Sequence, residues 1–148
     1  HQIIKTQAQL EESNVIIHYI TDSQKEQGQA LSTVVETLLQ ALAGKVMLVH
    51  FARIEKQFLT EACLELYGMA PTFPMIDTLS LAKRRLDKRD VAYDPSELRL
   101  SNLRHQFQLP DHHGHDALND AVATAELLLA QMANRDSTDK VVLKDIIL

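Results

Sequence analysis

The densest chemistry in this sequence is the run His112-His113-Gly114-His115-Asp116-Ala117-Leu118-Asn119-Asp120, preceded by Asp111. Imidazole suits proton abstraction near neutral pH, and carboxylate oxygens suit magnesium or manganese. Three readings are open. A zinc site is one, although the spacings match no established zinc pattern and the single cysteine, Cys63, is remote. A helix entry is another: Gly114 turns the chain and acids favour the positive end of a helix, which accounts for Asp116 better than for Asp120, beyond the first turn. In the third, His115 on the entry loop and Asp120 just inside the helix face one cleft from adjacent turns.

The second stretch runs from Val49 to Leu59 at the carboxyl end of an apolar segment, where ligand sites of open α/β sheets gather. A helical wheel places Ile54, Phe58, Leu59, Ala62, Cys63 and Leu66 on one stripe, with Glu55 near its middle. A carboxylate there either reaches the surface or a basic partner, or binds a metal ion. His50 reads as a strand-end histidine satisfying a backbone group.

The elements that would position these residues follow from periodicity. His1 to Gln7 and Val15 to Ile20 read as extended. Thr21-Asp22-Ser23 offers caps for a helix from near Gly28 to Leu42, ended by Gly44. Val46 to Val49 is continuously apolar, as in a strand buried on both faces, and a helix follows from about Ala52 to Tyr67. Met75-Ile76 is a second short strand, with a basic helical segment from Leu79 to Leu86 after it. Asp87 to Ser96 is a loop. Glu97 to Phe107 is a helix stopped by Pro110, and Asp111 to Gly114 is a turn. A long helix spans Asp116 to Ala133, its alanines allowing close packing, and Val141 to Leu148 is a terminal strand or tail. Strands alternating with helices give an α/β class with a partly parallel sheet.

The chain has the size of one domain. With 45% hydrophobic and 24% charged residues, it is expected to fold rather than to be disordered or fibrous. A lone cysteine forms no internal disulfide, and no stretch reads as a signal peptide or membrane span, so a cytoplasmic setting is expected. A net charge of −5 argues against a general polyanion-coating protein. It leaves room for a nuclease, in which bound cations supply positive charge and acids hold them.

These motifs resemble those of the DnaQ-like (DEDDh) exonucleases, which include polymerase proofreading subunits, ribonuclease T and oligoribonuclease. The resemblance spans roughly His18 to Ala133. His115 through Ala121, followed by Ala123-Thr124-Ala125-Glu126-Leu127, is similar to the family's third motif, in which a histidine precedes an aspartate by five positions. Leu100 to Leu109 resembles the leucine-rich helix leading into it. Val49 to Leu59 resembles the second motif, a histidine-asparagine pair with an aspartate four positions after the asparagine. Phe51 stands here for the asparagine and Glu55 for the aspartate. Ile17 to Thr21 and Ile76-Asp77-Thr78 are similar to supporting segments. The first motif, Asp-x-Glu on the first strand, is absent from the sequence given.

The resemblance implies a ribonuclease-H-like mixed sheet flanked by helices and lacking its amino-terminal strand or strands. It also implies an incomplete exonuclease domain over 1–134 with a linker and tail at 135–148. The implied activity is 3'-5' exonucleolysis with two divalent ions, Mg2+ or Mn2+. His115 would be the general base, Asp120 and Glu55 catalytic metal ligands, and His50, Phe51 and Arg53 substrate-binding. The implied partners are a single-stranded or frayed 3' end of DNA or RNA, the nucleoside monophosphate product, a DNA polymerase or a second copy of the chain, and no membrane. Without the first motif the chain alone is expected to be inactive. Arg53, Lys56 and Lys83-Arg84-Arg85 are candidate backbone contacts. The rivals are a nuclease-derived module that only binds, and a metal-dependent phosphatase or hydrolase using the same residues.

Overall fold

The computed structural model describes residues 2–6, 20–112, 114, 116–134 and 142–148. Two parallel strands, β1 (Met47–Val49) and β2 (Met75–Asp77), pair in register from Met47 opposite Met75 to Val49 opposite Asp77. Ile147 adds an antiparallel bridge to Ile76, so the sheet is mixed. The helices, in chain order, are α1 (Asp22–Glu26), α2 (Leu31–Leu42), α3 (Ala52–Tyr67), α4 (Thr78–Lys88), α5 (Leu100–Gln106) and α6 (Ala117–Ala133). Short 3-10 turns lie at Pro95–Leu98 and Leu143–Asp145.

The period-2 alternation of β2 sorts its side chains between two layers. Met75 packs with Val49 and Ala52 on the α3 side. Ile76 faces the other way and joins Leu81, Ile146, Leu128 and Met132. Val35 of α2 meets Ala62 and Cys63 of α3, which stacks a second helix outside the first. Ala82, Leu98, Leu103 and Leu127 form the core beneath α4, α5 and α6. Leu127 is fully buried, which alone removes enough apolar surface to stabilise the fold by roughly 1.5–3 kcal/mol.

Several local expectations are corrected. Thr21 does cap a helix, through a capping box with Gln24, but that helix is the five-residue α1. The chain then crosses the backbone of residues 3 to 5 at Gly28, where an added Cβ would lie 2.7 Å from the Lys5 nitrogen, and α2 starts only at Leu31. Ile4 forms a single parallel bridge with Gln29 in place of a strand. The helix expected from Glu97 is two pieces: Asp94 caps a 3-10 turn opening at Pro95, and Arg99 is extended between that turn and α5. This break lets Leu98 and Leu103 enter the same core. The tail forms a 3-10 turn and one bridge. The extended reading of Val15 to Ile20 falls, except for Ile20, outside the described residues, as does the linker at 135–140.

Candidate functional site

The carboxyl ends of β1 and β2 lead directly into α3 and α4, and the side chains at those two junctions organise the site. Asp77 ends β2 and caps α4 through its Oδ1, which accepts from the Leu79 N–H at 3.0 Å. The same oxygen accepts from the Phe51 N–H at 2.8 Å, and Oδ2 accepts from the Ser80 hydroxyl at 2.8 Å. Asp77 is 4% exposed, and these three charge-assisted hydrogen bonds offset the cost of burying its carboxylate. One side chain thereby fixes the start of α3 against the start of α4.

Phe51 sits at the first junction with φ 71° and ψ 62°. The left-handed region costs a residue with a Cβ about 1–2 kcal/mol, and its engaged N–H holds it there. The ring is 41% exposed. His50, beside it, faces the Thr78 hydroxyl, with Nδ1 and Oγ1 2.8 Å apart. Thr78 is completely buried: its hydroxyl donates to the Val49 carbonyl at 3.4 Å, and its carbonyl accepts from the Gln131 amide at 2.9 Å. The histidine is thus held in the fold by a side-chain hydroxyl. Burial holds its pKa below the ordinary histidine value, against the opposing pull of Asp77, the Leu98 backbone and Asp120.

Glu55 lies in the first turn of α3, half-buried, and its Oε2 is buried without a hydrogen-bond partner. Burial pushes its carboxyl above the usual carboxylate range. The helix's own N–H group pulls it down, and the Asp77 charge pushes it further up. The stripe around it is narrower than the wheel suggests. Ala52, Leu59, Ala62 and Cys63 are buried, whereas Ile54 and Phe58 are 61% and 54% exposed.

Asp120 lies just inside α6, which Asp116 caps through the Asn119 N–H at 2.9 Å. The helix-entry reading therefore describes Asp116, as expected. Asp120 has a different neighbour: its Oδ1 is 3.3 Å from His112 Nε2. Its charge and that of Asp77 act on His50, and the Asp77 charge acts on Glu55 as well. His115 and His113 lie outside the described residues.

In the sequence Asp77 reads as a supporting match only. Its signal is a strand-end aspartate immediately before a helix, the position of an N-cap. Arg104 gives no sequence signal. It is 3% exposed and donates to the carbonyls of Ala123 at 2.8 Å and Pro110 at 2.9 Å while pairing with Glu126 at 2.8 Å. It therefore ties α5 and the loop before Asp120 to α6.

The residues present meet only part of what a bound cation needs. The unpartnered Glu55 oxygen is a suitable donor, yet among the described residues no group of three His, Cys, Asp or Glu side chains is placed to hold a metal ion.

Comparison with known proteins agrees with the fold. The RNase_T family model, described as Exonuclease, matches residues 1–128. The PolC-type DNA polymerase III of Thermotoga petrophila is 29% identical over 131 residues, which is 87% of this chain and 9% of the polymerase. That of Thermotoga maritima matches to the same extent. The chain thus spans about a tenth of the length of these relatives. The solved full-length structure of a 3'-exonuclease superposes with a TM-score of 0.67 at 14% identity, covering 85% of this chain and 59% of that one. A 3'-exonuclease solved for its 3'-end-specific recognition of a histone mRNA stem-loop gives 0.65 at 14% identity, covering 88% and 49%. The architecture is the ribonuclease-H-like α/β fold of this group. No helix among the described residues is long and apolar enough to cross a membrane.

Proposed function

The chain belongs to the DnaQ-like (RNase_T) exonuclease family, and on that premise we propose that these 148 residues engage the 3'-terminal region of a nucleic acid and hold it without cutting. The observation that carries this reading is the engagement of two acids, one at a strand end and one in the first turn of α6. Asp77 is taken up by the Phe51 and Leu79 N–H groups and the Ser80 hydroxyl, and Asp120 faces His112. What the site offers a nucleic acid instead is the surface of the α3 entry: His50, the exposed ring of Phe51 and the exposed Arg53. An aromatic face and a guanidinium suit a base and a phosphate without reading sequence. DNA and RNA are both accommodated by such contacts.

One observation favours a second reading, the hydrolytic one. The buried, unpartnered Oε2 of Glu55 is the kind of oxygen that a divalent ion, Mg2+ or Mn2+, satisfies. In that reading Glu55 and Asp120 bind two such ions together with further carboxylates, His115 is the general base, and a nucleoside monophosphate is released from the 3' end. The ions would supply Lewis-acid stabilisation of the phosphodiester.

The two readings separate in one experiment. Single strands labelled at the 3' nucleotide are mixed with the chain, first with EDTA and then with Mn2+. Retention in EDTA without release of labelled monophosphate under Mn2+ is the expected result. Manganese-dependent release abolished by Asp120→Asn favours hydrolysis. Absence of both retention and release rejects the two readings together.

A further inference from the structure

Between α3 and α4 lies a cleft of about 570 Å³, within the size range of ligand sites. Its walls are largely apolar and include the rings of Phe51 and Phe73, and three cations line it: Arg53 and Lys56 from α3 and Lys83 from α4. Among the described residues none of the three makes an ion pair or hydrogen bond within the protein. In a chain of net charge −5, three uncompensated cations around one aromatic cleft favour an anionic ligand with a flat face. The neighbouring basic residues are used differently. Arg84 donates to the Asp145 carbonyl at 3.3 Å, and Arg85 donates to Asn134 at 2.6 Å while lying 5.5 Å from the centre of the Phe107 ring. Only Lys83 of that basic run is left to the cleft.

One acid, Asp77, also lines the cleft, against the three cations, and its two oxygens are turned to donors of the fold, the Phe51 and Leu79 N–H groups and the Ser80 hydroxyl. The strain at Phe51 points the same way. A left-handed backbone is more cheaply occupied by glycine or asparagine, yet the position carries a partly exposed aromatic ring at the cleft.

We propose that this cleft holds an internal nucleotide of the single strand leading to the 3' end, its base against the Phe51 and Phe73 rings and its flanking phosphates on Arg53, Lys56 and Lys83. This rests on the reading that the strand-end face engages a 3' terminus, and it adds the path taken by the nucleotides behind that terminus. Phenylalanine rings present no hydrogen-bonding pattern, so the cleft accepts any base.

The test uses the whole 148-residue chain and a 5'-fluorescein ten-nucleotide thymidine strand in EDTA, read by anisotropy across a salt series. Phe51→Ala is expected to weaken binding about tenfold, the usual loss for one stacked base. The double variant Lys56→Gln/Lys83→Gln is expected to weaken binding and to flatten the logarithmic salt dependence by about 1.4, roughly 0.7 for each single-strand phosphate deprived of its lysine. The double variant binding within about twofold of the wild type with an unchanged salt slope overturns the cleft and leaves the 3'-end reading, which uses neither lysine, intact; Phe51→Ala binding within about twofold overturns both, since both set a base on that ring. A wild-type chain that binds no strand overturns both. A second measurement is independent of variant folding: a strand with one internal 5-iodouracil is photo-crosslinked to the wild-type chain. Adducts on peptides containing Phe51 or Phe73 are expected, and adducts confined to other peptides overturn the proposal. Equal competition by a polyglutamate peptide also overturns it, since charge alone would then account for occupancy.

Discussion

Glu55 is where the physical chemistry of single residues is most informative. Its folded-state pKa lies above its unfolded value because burial and the Asp77 charge disfavour the ionised form. Stability from that group is therefore present at low pH and lost as pH rises through the folded value. Glu55→Gln should raise the thermal midpoint relative to the wild type at neutral pH in EDTA. The gain should vanish in acid, where the wild-type carboxyl is protonated in both states. A midpoint that falls at neutral pH and recovers in acid would mean that the carboxylate has a stabilising partner in the fold. Phe51→Asn makes a complementary prediction. Asparagine tolerates the left-handed backbone, so denaturant unfolding should show a gain of roughly 0.5–1 kcal/mol while strand binding falls. Sequence reading finds Glu55 because a carboxylate amid an apolar helical stripe is conspicuous. It does not find the conformation of Phe51, which depends on a hydrogen bond to a residue 26 positions away.

Elements are joined here by a few polar side chains. Asp77 caps α4 and holds the α3 entry, so Asp77→Ala removes an N-cap and leaves the Phe51 N–H without its partner. Loss of a cap costs about 1 kcal/mol and loss of a hydrogen bond to a charged group about 1.5–3 kcal/mol. Urea unfolding should therefore show a loss of about 2.5–4 kcal/mol with an unchanged m-value. A loss below about 0.5 kcal/mol, the level of an ordinary surface substitution, would show that the two helix starts are fixed by apolar packing alone. Periodicity made β1, α3 and α6 legible because each is a long or wholly apolar run whose period has one interpretation. It failed at Glu97 to Phe107, where Pro95 and the Asp94 cap set a 3-10 turn and Arg99 breaks the apparent helix. It also placed Ile54 and Phe58 inside, because a wheel gives the direction of a stripe but not how much of its width the neighbouring elements cover.

For the whole molecule, the fold class and the parallel pairing of β1 with β2 were legible from the alternation of apolar runs and helices. The hydrogen bonds that join Asp77 to the α3 entry and Asp120 to His112 were not legible, since they depend on register between strands and on where α6 lands. In the function proposed above, the carboxyl end of this sheet is the face that meets a nucleic-acid 3' end. The most direct measurement is a two-dimensional amide NMR titration of the chain with a short single strand in EDTA. The largest shifts should fall on residues 50–56, 77–83 and 112–120. Shifts concentrated instead on α1 and α2, or spread evenly over the surface, would contradict the account.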